Sequence, residues 1–230
     1  MLLKVKLLSK FWNMKQLKKT KKLFYDKYVY KIVVITPLAS MFRGASIENT
    51  LTEIDHFLRS MEYQGETAKT VGSRWNSRKV TIQEVRRDLA LVHLLSSESD
   101  YFVRVEGDLL SIYSSDENII DTGSELYDGH VREIWRPEND KIKDFLLSTP
   151  KQIIRTEYSH KYKVTVNGLP DPGTFKQWAE KIPKLKIMAK NDYYIGGYFY
   201  VADQKTLSLC RIFLGDKIRR VDELRTFEEI

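Results

Sequence analysis

Two short segments far apart in the chain read as the same strand: Tyr30-Lys31-Ile32-Val33-Val34 and Tyr162-Lys163-Val164-Thr165-Val166. Both are β-branched and aromatic, the composition of a half-buried strand. Each is followed by helical periodicity and then by further strand-like residues. That order constrains the fold to α+β, with antiparallel sheets covered by helices.

In the first half the strand spans 28–35 and stops at Pro37. A helix follows from about Ser46, with Ile47, Leu51, Ile54, Leu58 and Met61 forming one apolar stripe. Residues 64–80 are polar, contain two glycines and read as a long loop. A second helix begins at Thr81, where Glu84 three residues on completes a capping box; its stripe is Ile82, Val85, Leu89, Val92 and Leu95. Tyr101–Val105 and Leu109–Tyr113 flank Glu106-Gly107-Asp108 as a hairpin. Asp116 caps a helix over 117–126, Val131–Trp135 is a strand, and 140–148 is a helix.

The second half follows a similar plan. Residues 151–166 contain a long strand that ends Tyr162-Lys163-Val164-Thr165-Val166, Pro170-Asp171-Pro172-Gly173 turns the chain, and Thr174 caps a helix carrying Phe175, Trp178 and Ile182. Gly196-Gly197 then precedes a hairpin of 198–202 and 206–214, and a charged tail runs from Lys217. Placed without gaps, 101–113 lies over 198–210, with Tyr, Phe, Leu and Ser matching. One reading is two tandem β-α-β-β units of ferredoxin-like or RRM-like layout; the other is a single mixed domain with an accidental echo. The expected core includes Leu51, Leu58, Leu89, Ile112, Trp178 and Leu207. The expected division is a basic arm at 1–31, a unit at 32–150 and a smaller unit at 151–230.

The arm holds ten lysines against Asp26 alone, a charge of +9, while the formal net charge of the whole chain is +7. The body is therefore slightly acidic, and the excess charge is a field concentrated at one end. Such a field attracts polyanions irrespective of the fold beneath it. No apolar run approaches the length of a bilayer span, and no signal-peptide core is evident. A transit peptide would be rich in arginine, which the arm lacks. The arm has charge but a poorly formed apolar face, which disfavours an anionic membrane surface as its target. The single Cys210 forms no internal disulfide and fits a reducing compartment, the cytoplasm, or a host cytoplasm or virion if the protein is viral.

Chemistry-bearing patterns are sparse. His56, His93, His130 and His160 lack partners at helical spacing, Cys210 reads as a core residue in a strand, and no nucleophile elbow or phosphate loop is present. Val105 to Leu110 has the outline of a polymerase-type palm hairpin, but the first strand offers no carboxylate to share metal ions. Glu106, Asp108 and Asp203 thus read as turn residues. The expectation is a non-enzymatic protein without cofactor or metal.

Its expected partner is nucleic acid, single-stranded or RNA. Lys15, Lys18, Lys19, Lys21 and Lys22 of the arm supply phosphate contacts and dominate affinity. The loop residues Arg74, Trp75, Arg78 and Lys79 set a stacking ring among cations. Lys161 and Lys163 lie on the wet face of a sheet, with Tyr101, Tyr198 and Tyr200 as candidate stacking aromatics. The alternative is a structural or assembly component of a viral particle or another large complex, a homo- or hetero-oligomer whose arm reaches a neighbour or genome. An exposed apolar patch would favour that alternative.

Overall fold

The fold of this chain, taken from a computed structural model, is α+β, with three mostly antiparallel sheets. Residues 15–44, 46–73, 76–167, 172–187 and 197–230 are described. They fall into two units: residues 15–20 and 27–138 form the first, and residues 21–26 and 139–230 form the second.

The first unit contains β1 (Gln16–Lys19), β2 (Tyr30–Ile35), α1 (Ile47–Tyr63), β3 (Ala68–Ser73), β4 (Asn76–Thr81), α2 (Ile82–Ser96), β5 (Tyr101–Glu106), β6 (Leu109–Ser114), α3 (Glu117–Leu126) and β7 (Val131–Arg136). Its main sheet has the order β1-β7-β2-β6-β5, and β3 and β4 form a separate hairpin. Only β1, which pairs with β7, runs parallel to its neighbour. The second unit contains α4 (Asp140–Ser148), β8 (Gln152–Arg155), β9 (Tyr162–Val166), α5 (Pro172–Glu180), β10 (Leu185–Ile187), β11 (Gly197–Val201), α6 (Gln204–Leu214) and β12 (Ile218–Thr226). Its sheet has the order β8-β12-β9-β11-β10, with β8 parallel to β12.

The two sheets have one connectivity. In each, a first strand (β2, β9) leads to a helical connection, α1 and α2 with the β3–β4 hairpin between them in the first unit and α5 alone in the second, then to a second strand (β5, β10), third strand (β6, β11), helix and fourth strand (β7, β12). The spatial order is fourth, first, third, second, and a preceding strand (β1, β8) lies parallel outside the fourth. The first strands open with Tyr30-Lys31 and Tyr162-Lys163. Two residues past each third strand an aspartate caps the next helix. Asp116 accepts from the Asn118 amide at 2.9 Å and Asp203 from the Thr206 amide at 2.8 Å.

Several expectations are corrected. Residues 206–214 belong to α6, not to a strand, so 198–210 is not a hairpin and does not match 101–113. The strand equivalent to β11 is β6, one strand later than the ungapped overlay implies. The expected loop 64–80 contains the β3–β4 hairpin. Residues 151–166, expected to contain one long strand, hold two, β8 and β9, in different positions of the sheet. The Pro170–Gly173 turn lies mostly outside the described residues, and α5 starts at Pro172, so Thr174 is inside the helix. From Gln16 onward the basic arm is part of the fold: β1 pairs with β7, and Leu23, Tyr28, Val29 and Tyr30 are buried. The unit boundary falls after Glu138, earlier than the expected 150.

In the first unit, α1 starts at the Ser46 cap and α2 at a full Thr81–Glu84 capping box. Ile54, Leu58 and Met61 of α1 and Val85, Leu91, Val92 and Leu95 of α2 are buried, as are Ile32, Val34, Leu110 and Ile112 of the sheet. Of the expected core residues, Leu58, Ile112 and Leu207 are buried and Leu51, Leu89 and Trp178 half-buried. Gly123 sits inside α3 over Ile32; a Cβ there would meet the Ile32 Cδ1 at 3.8 Å, ordinary van der Waals contact. Glycine in a helix interior costs about 0.5–1 kcal/mol relative to alanine. Gly123→Ala is therefore expected to raise stability by about that amount in urea unfolding. A loss instead would mean that the methyl is not accommodated over Ile32 as the 3.8 Å contact implies.

Candidate functional site

Alternation along the strands gives the second sheet two chemically distinct faces. On one, Val164, Val166, Phe199 and Val201 pack beneath Phe175 and Ala179 of α5 and Leu207, Cys210 and Leu214 of α6. The residues between them, Lys163, Thr165, Tyr198 and Tyr200, point to the opposite face. There Lys163 of β9 lies across from Tyr200 of β11, and Tyr200 lies across from Lys186 of β10.

This opposite face joins tyrosines to cations. The Lys163 ammonium lies 4.1 Å from the Tyr198 ring centroid. Tyr198 and Tyr200 meet edge to face at 5.6 Å. Arg155, at the end of β8, donates to the Tyr200 hydroxyl at 3.3 Å. Burial holds Lys163 below the ordinary lysine pKa; the charges of Lys22, Arg155 and Arg220 add to this, against the pull of Asp222. Arg220 itself is held by Asp222 and Asp26. The cations around Lys163 thus outnumber the acids, and an anion placed there would relieve their repulsion.

At the edge of the same face lies a cavity of about 450 Å³, lined by Arg155, Tyr158, His160, Lys186, Tyr200 and Leu224, with Glu157 and Ser159 at its loop. Tyr158 donates to Glu229 at 2.7 Å, fixing the loop between β8 and β9 to the C-terminal turn. His160 Nδ1 is 2.8 Å from the Ser159 hydroxyl. Burial, and then the charge of Lys186, pushes His160 below 6.5, so the ring is neutral at pH 7.

The first unit repeats the lysine–tyrosine theme. A single register row crosses all five strands of its sheet: Lys18, Trp135, Lys31, Tyr113 and Phe102. Lys18 lies 5.0 Å from the Trp135 ring centroid and Lys31 lies 5.3 Å from that of Tyr113; Tyr113 and Phe102 are 6.0 Å apart. Lys31 and Lys163 occupy the same place on their first strands, each beside a third-strand tyrosine. Tyr113 is buried, and the exposed ring of this row is Phe102 at 40%, close to the 41% of Tyr198; on the second sheet the exposed ring is the one that lies beside the lysine.

The sequence-selected residues separate accordingly. Lys22 and Lys163 fall in the cationic cluster. Lys161 pairs with Glu223 at 3.2 Å, and Lys21 is exposed with its carbonyl accepting from the Ile154 amide. Lys15 donates to Ser124 at 2.8 Å, Lys18 pairs with Glu133 at 2.6 Å, and Lys19 pairs with Glu138 at 2.5 Å. Arg78 on β4 is ion-paired with Asp108, and Lys79 is exposed. Arg74 and Trp75 lie outside the described residues. Tyr101 is one residue out of register for the expected stacking face: Phe102 opposes Tyr113 there, while Tyr101 turns the other way, near Glu48 of α1. Sequence reading missed Arg155, Lys186, His160, Lys31 and Trp135 as parts of these faces.

Two further assignments change. Cys210 is in α6, not a strand; it is fully buried, and burial pushes its thiol up to about 11, which makes it a poor nucleophile. Asp203 is a helix cap rather than a hairpin turn, held well below the usual carboxylate range by Lys184 and by the Thr206 amide. No group of three or more metal-ligating side chains is gathered among the described residues. None of their helices is long and apolar enough to cross a membrane.

No protein-family model matches the chain, and neither does any curated protein or solved structure.

Proposed function

We propose that this protein binds single-stranded nucleic acid, RNA or DNA, on the face of the second sheet that carries Tyr198, Tyr200 and Lys163, and that it does so without catalysis. The observation that carries the reading is the surplus of cations around Lys163 beside accessible aromatic rings. Phosphates suit the first and unstacked bases the second. Base–aromatic stacking tolerates any sequence and requires exposed base faces, so a duplex is the poorer ligand.

The test is fluorescence anisotropy with labelled single strands and duplexes of equal length. Tyr198→Ala and Tyr200→Ala are each expected to weaken single-strand binding about tenfold, in keeping with roughly 1–3 kcal/mol per stacked base. Their effect on duplex binding should be small. Equal losses for both ligands would remove stacking from the reading.

A second reading has its own observation. On α6, Leu209, Ile212 and Phe213 are exposed, Ile212 by 83%, and Phe213 stacks on Trp178 with ring centroids 4.3 Å apart. An apolar helix surface of this kind supports a component of a larger assembly. If no strand binds and the protein sediments as an oligomer, this reading replaces the first.

A further inference from the structure

We infer that the cavity beneath the Glu157–His160 loop is a pocket for the terminal nucleotide of a single strand, one that ends in a phosphate group. The inference rests on the single-strand reading above and specifies where the strand ends. Four observations converge on it.

The volume, about 450 Å³, lies within the roughly 300–1,000 Å³ typical of small-ligand sites. The lining is divided by chemistry. Tyr200 presents ring surface for a base and the buried Leu224 belongs to the apolar wall, while Arg155 on β8 and Lys186 on β10 contribute exposed cations.

The rim is asymmetric. On the loop side stand Glu157 and, hydrogen-bonded to Tyr158, Glu229. A strand running through the cavity would bring its next phosphates against these carboxylates. A strand that ends in the cavity would not. The cationic side, by contrast, continues from Arg155, which donates to Tyr200, to Lys163, which lies across from Tyr200 on the sheet.

A terminal phosphate, at about −1.5 to −2 near neutral pH, makes fuller use of two cations than a phosphodiester's single charge does. Arg155 and Lys186 supply those two, against the one carboxylate, Glu157, in the lining. With Nδ1 engaged by Ser159, His160 Nε2 is the ring atom that would meet the phosphate.

The experiment compares ten-nucleotide pyrimidine strands carrying a 5′-phosphate, a 3′-phosphate or hydroxyls at both ends, using the full chain. One phosphorylated strand is expected to bind about tenfold more tightly than the hydroxyl-ended one, the worth of one charge-assisted hydrogen bond. The Arg155→Ala/Lys186→Ala double variant should lose that advantage, binding all three strands equally and each more weakly than wild type binds the hydroxyl-ended strand. Lys163→Ala should weaken all three strands alike. Both pocket cations are exposed, so the variants are expected to fold, and circular dichroism checks this. If wild-type protein binds all three strands equally, the pocket assignment is wrong and the single-strand reading stands. If no strand binds, both fall. A nucleoside monophosphate should compete with the phosphorylated strand better than inorganic phosphate at equal concentration. Equal competition would overturn the base-binding half of the pocket.

Discussion

Asp88→Ala is expected to destabilise the first unit by about 2–5 kcal/mol in urea unfolding. Asp88 is a fully buried carboxylate on α2. It accepts hydrogen bonds from the Thr36 hydroxyl, just past β2, and from the Tyr127 hydroxyl, at the end of α3. Arg87 lies across the Tyr127 ring at 4.5 Å, with its Nε 3.8 Å from the carboxylate. One side chain therefore ties a strand end and two helices together. Alanine would strand two buried hydroxyls, each worth about 1–3 kcal/mol when left without a partner, and would open a cavity besides. Asparagine keeps the shape and one carbonyl acceptor, so Asp88→Asn should cost much less.

The same residue sets a pH dependence. Burial raises the Asp88 carboxyl from 3.8 to about 6, against the hydrogen bonds from Thr36 and Tyr127. The folded protein then holds its proton more tightly than the unfolded chain does. The stability this contributes is complete below about pH 3.8 and is lost as the pH rises through about 6. Wild type should thus gain on Asp88→Asn as the pH is lowered from 7 to 4, by something of the order of 2–3 kcal/mol. A constant difference across that range would mean that Asp88 stays ionised in the folded state.

Asp88 was not legible in the sequence, where Leu89 stood in its place on the expected stripe of α2. It falls between Val85 and Val92 on the buried stripe of α2, a place for an apolar residue. Its partners come from elements that only the tertiary fold assembles. Local signals fared better. The Thr81–Glu84 capping box and the Asp116 cap fix the starts of α2 and α3 because capping is decided within one turn. Local signals also misled at α6. Thr206-Leu207-Ser208-Leu209-Cys210 alternates like a strand, but Leu207, Cys210 and Leu214 keep helical spacing, and Asp203 stands at the cap position. The β3–β4 hairpin was hidden for a different reason. Val80 is its one buried residue among those described, so its strands carry almost no apolar alternation to read.

The candidate face divides along similar lines. Lys163, Tyr198 and Tyr200 follow from period-two alternation in strands recognisable as such. Arg155, Lys186 and Lys22 reach the same face because β8, β10 and the segment before β2 are brought there by topology, and topology leaves no local trace. The basic arm, expected over 1–31 as separate from the body, is partly built into the fold. Charge runs are usually solvated tails, but Leu23, Tyr28 and Tyr30 within this one are buried, and several of its lysines are already matched by acids.

That redistribution of lysines sets the expected salt dependence. Single-strand affinity should fall with a log–log slope of about −3 in salt concentration, or about fiftyfold between 50 and 200 mM. The figure follows from four cations at the face, Lys22, Arg155, Lys163 and Lys186, at about 0.7 of a counterion released per phosphate neutralised. Lys163→Ala should make the slope shallower by about 0.7, while Lys18→Ala and Lys19→Ala, whose ammonium groups are held by Glu133 and Glu138, should leave it nearly unchanged. Lys4, Lys6 and Lys10 are left out of that figure; phosphate contacts by all three would steepen the wild-type slope to about −5, and deleting residues 1–14 would then return it to about −3. The deletion stops before β1, because removing residues 1–27 would also take away a paired strand and the buried Leu23. A slope that survives Lys163→Ala and Arg155→Ala but collapses on deletion of residues 1–14 would transfer the binding from the sheet to the N-terminal lysines. A wild-type slope shallower than −1 would leave too few phosphate contacts for either.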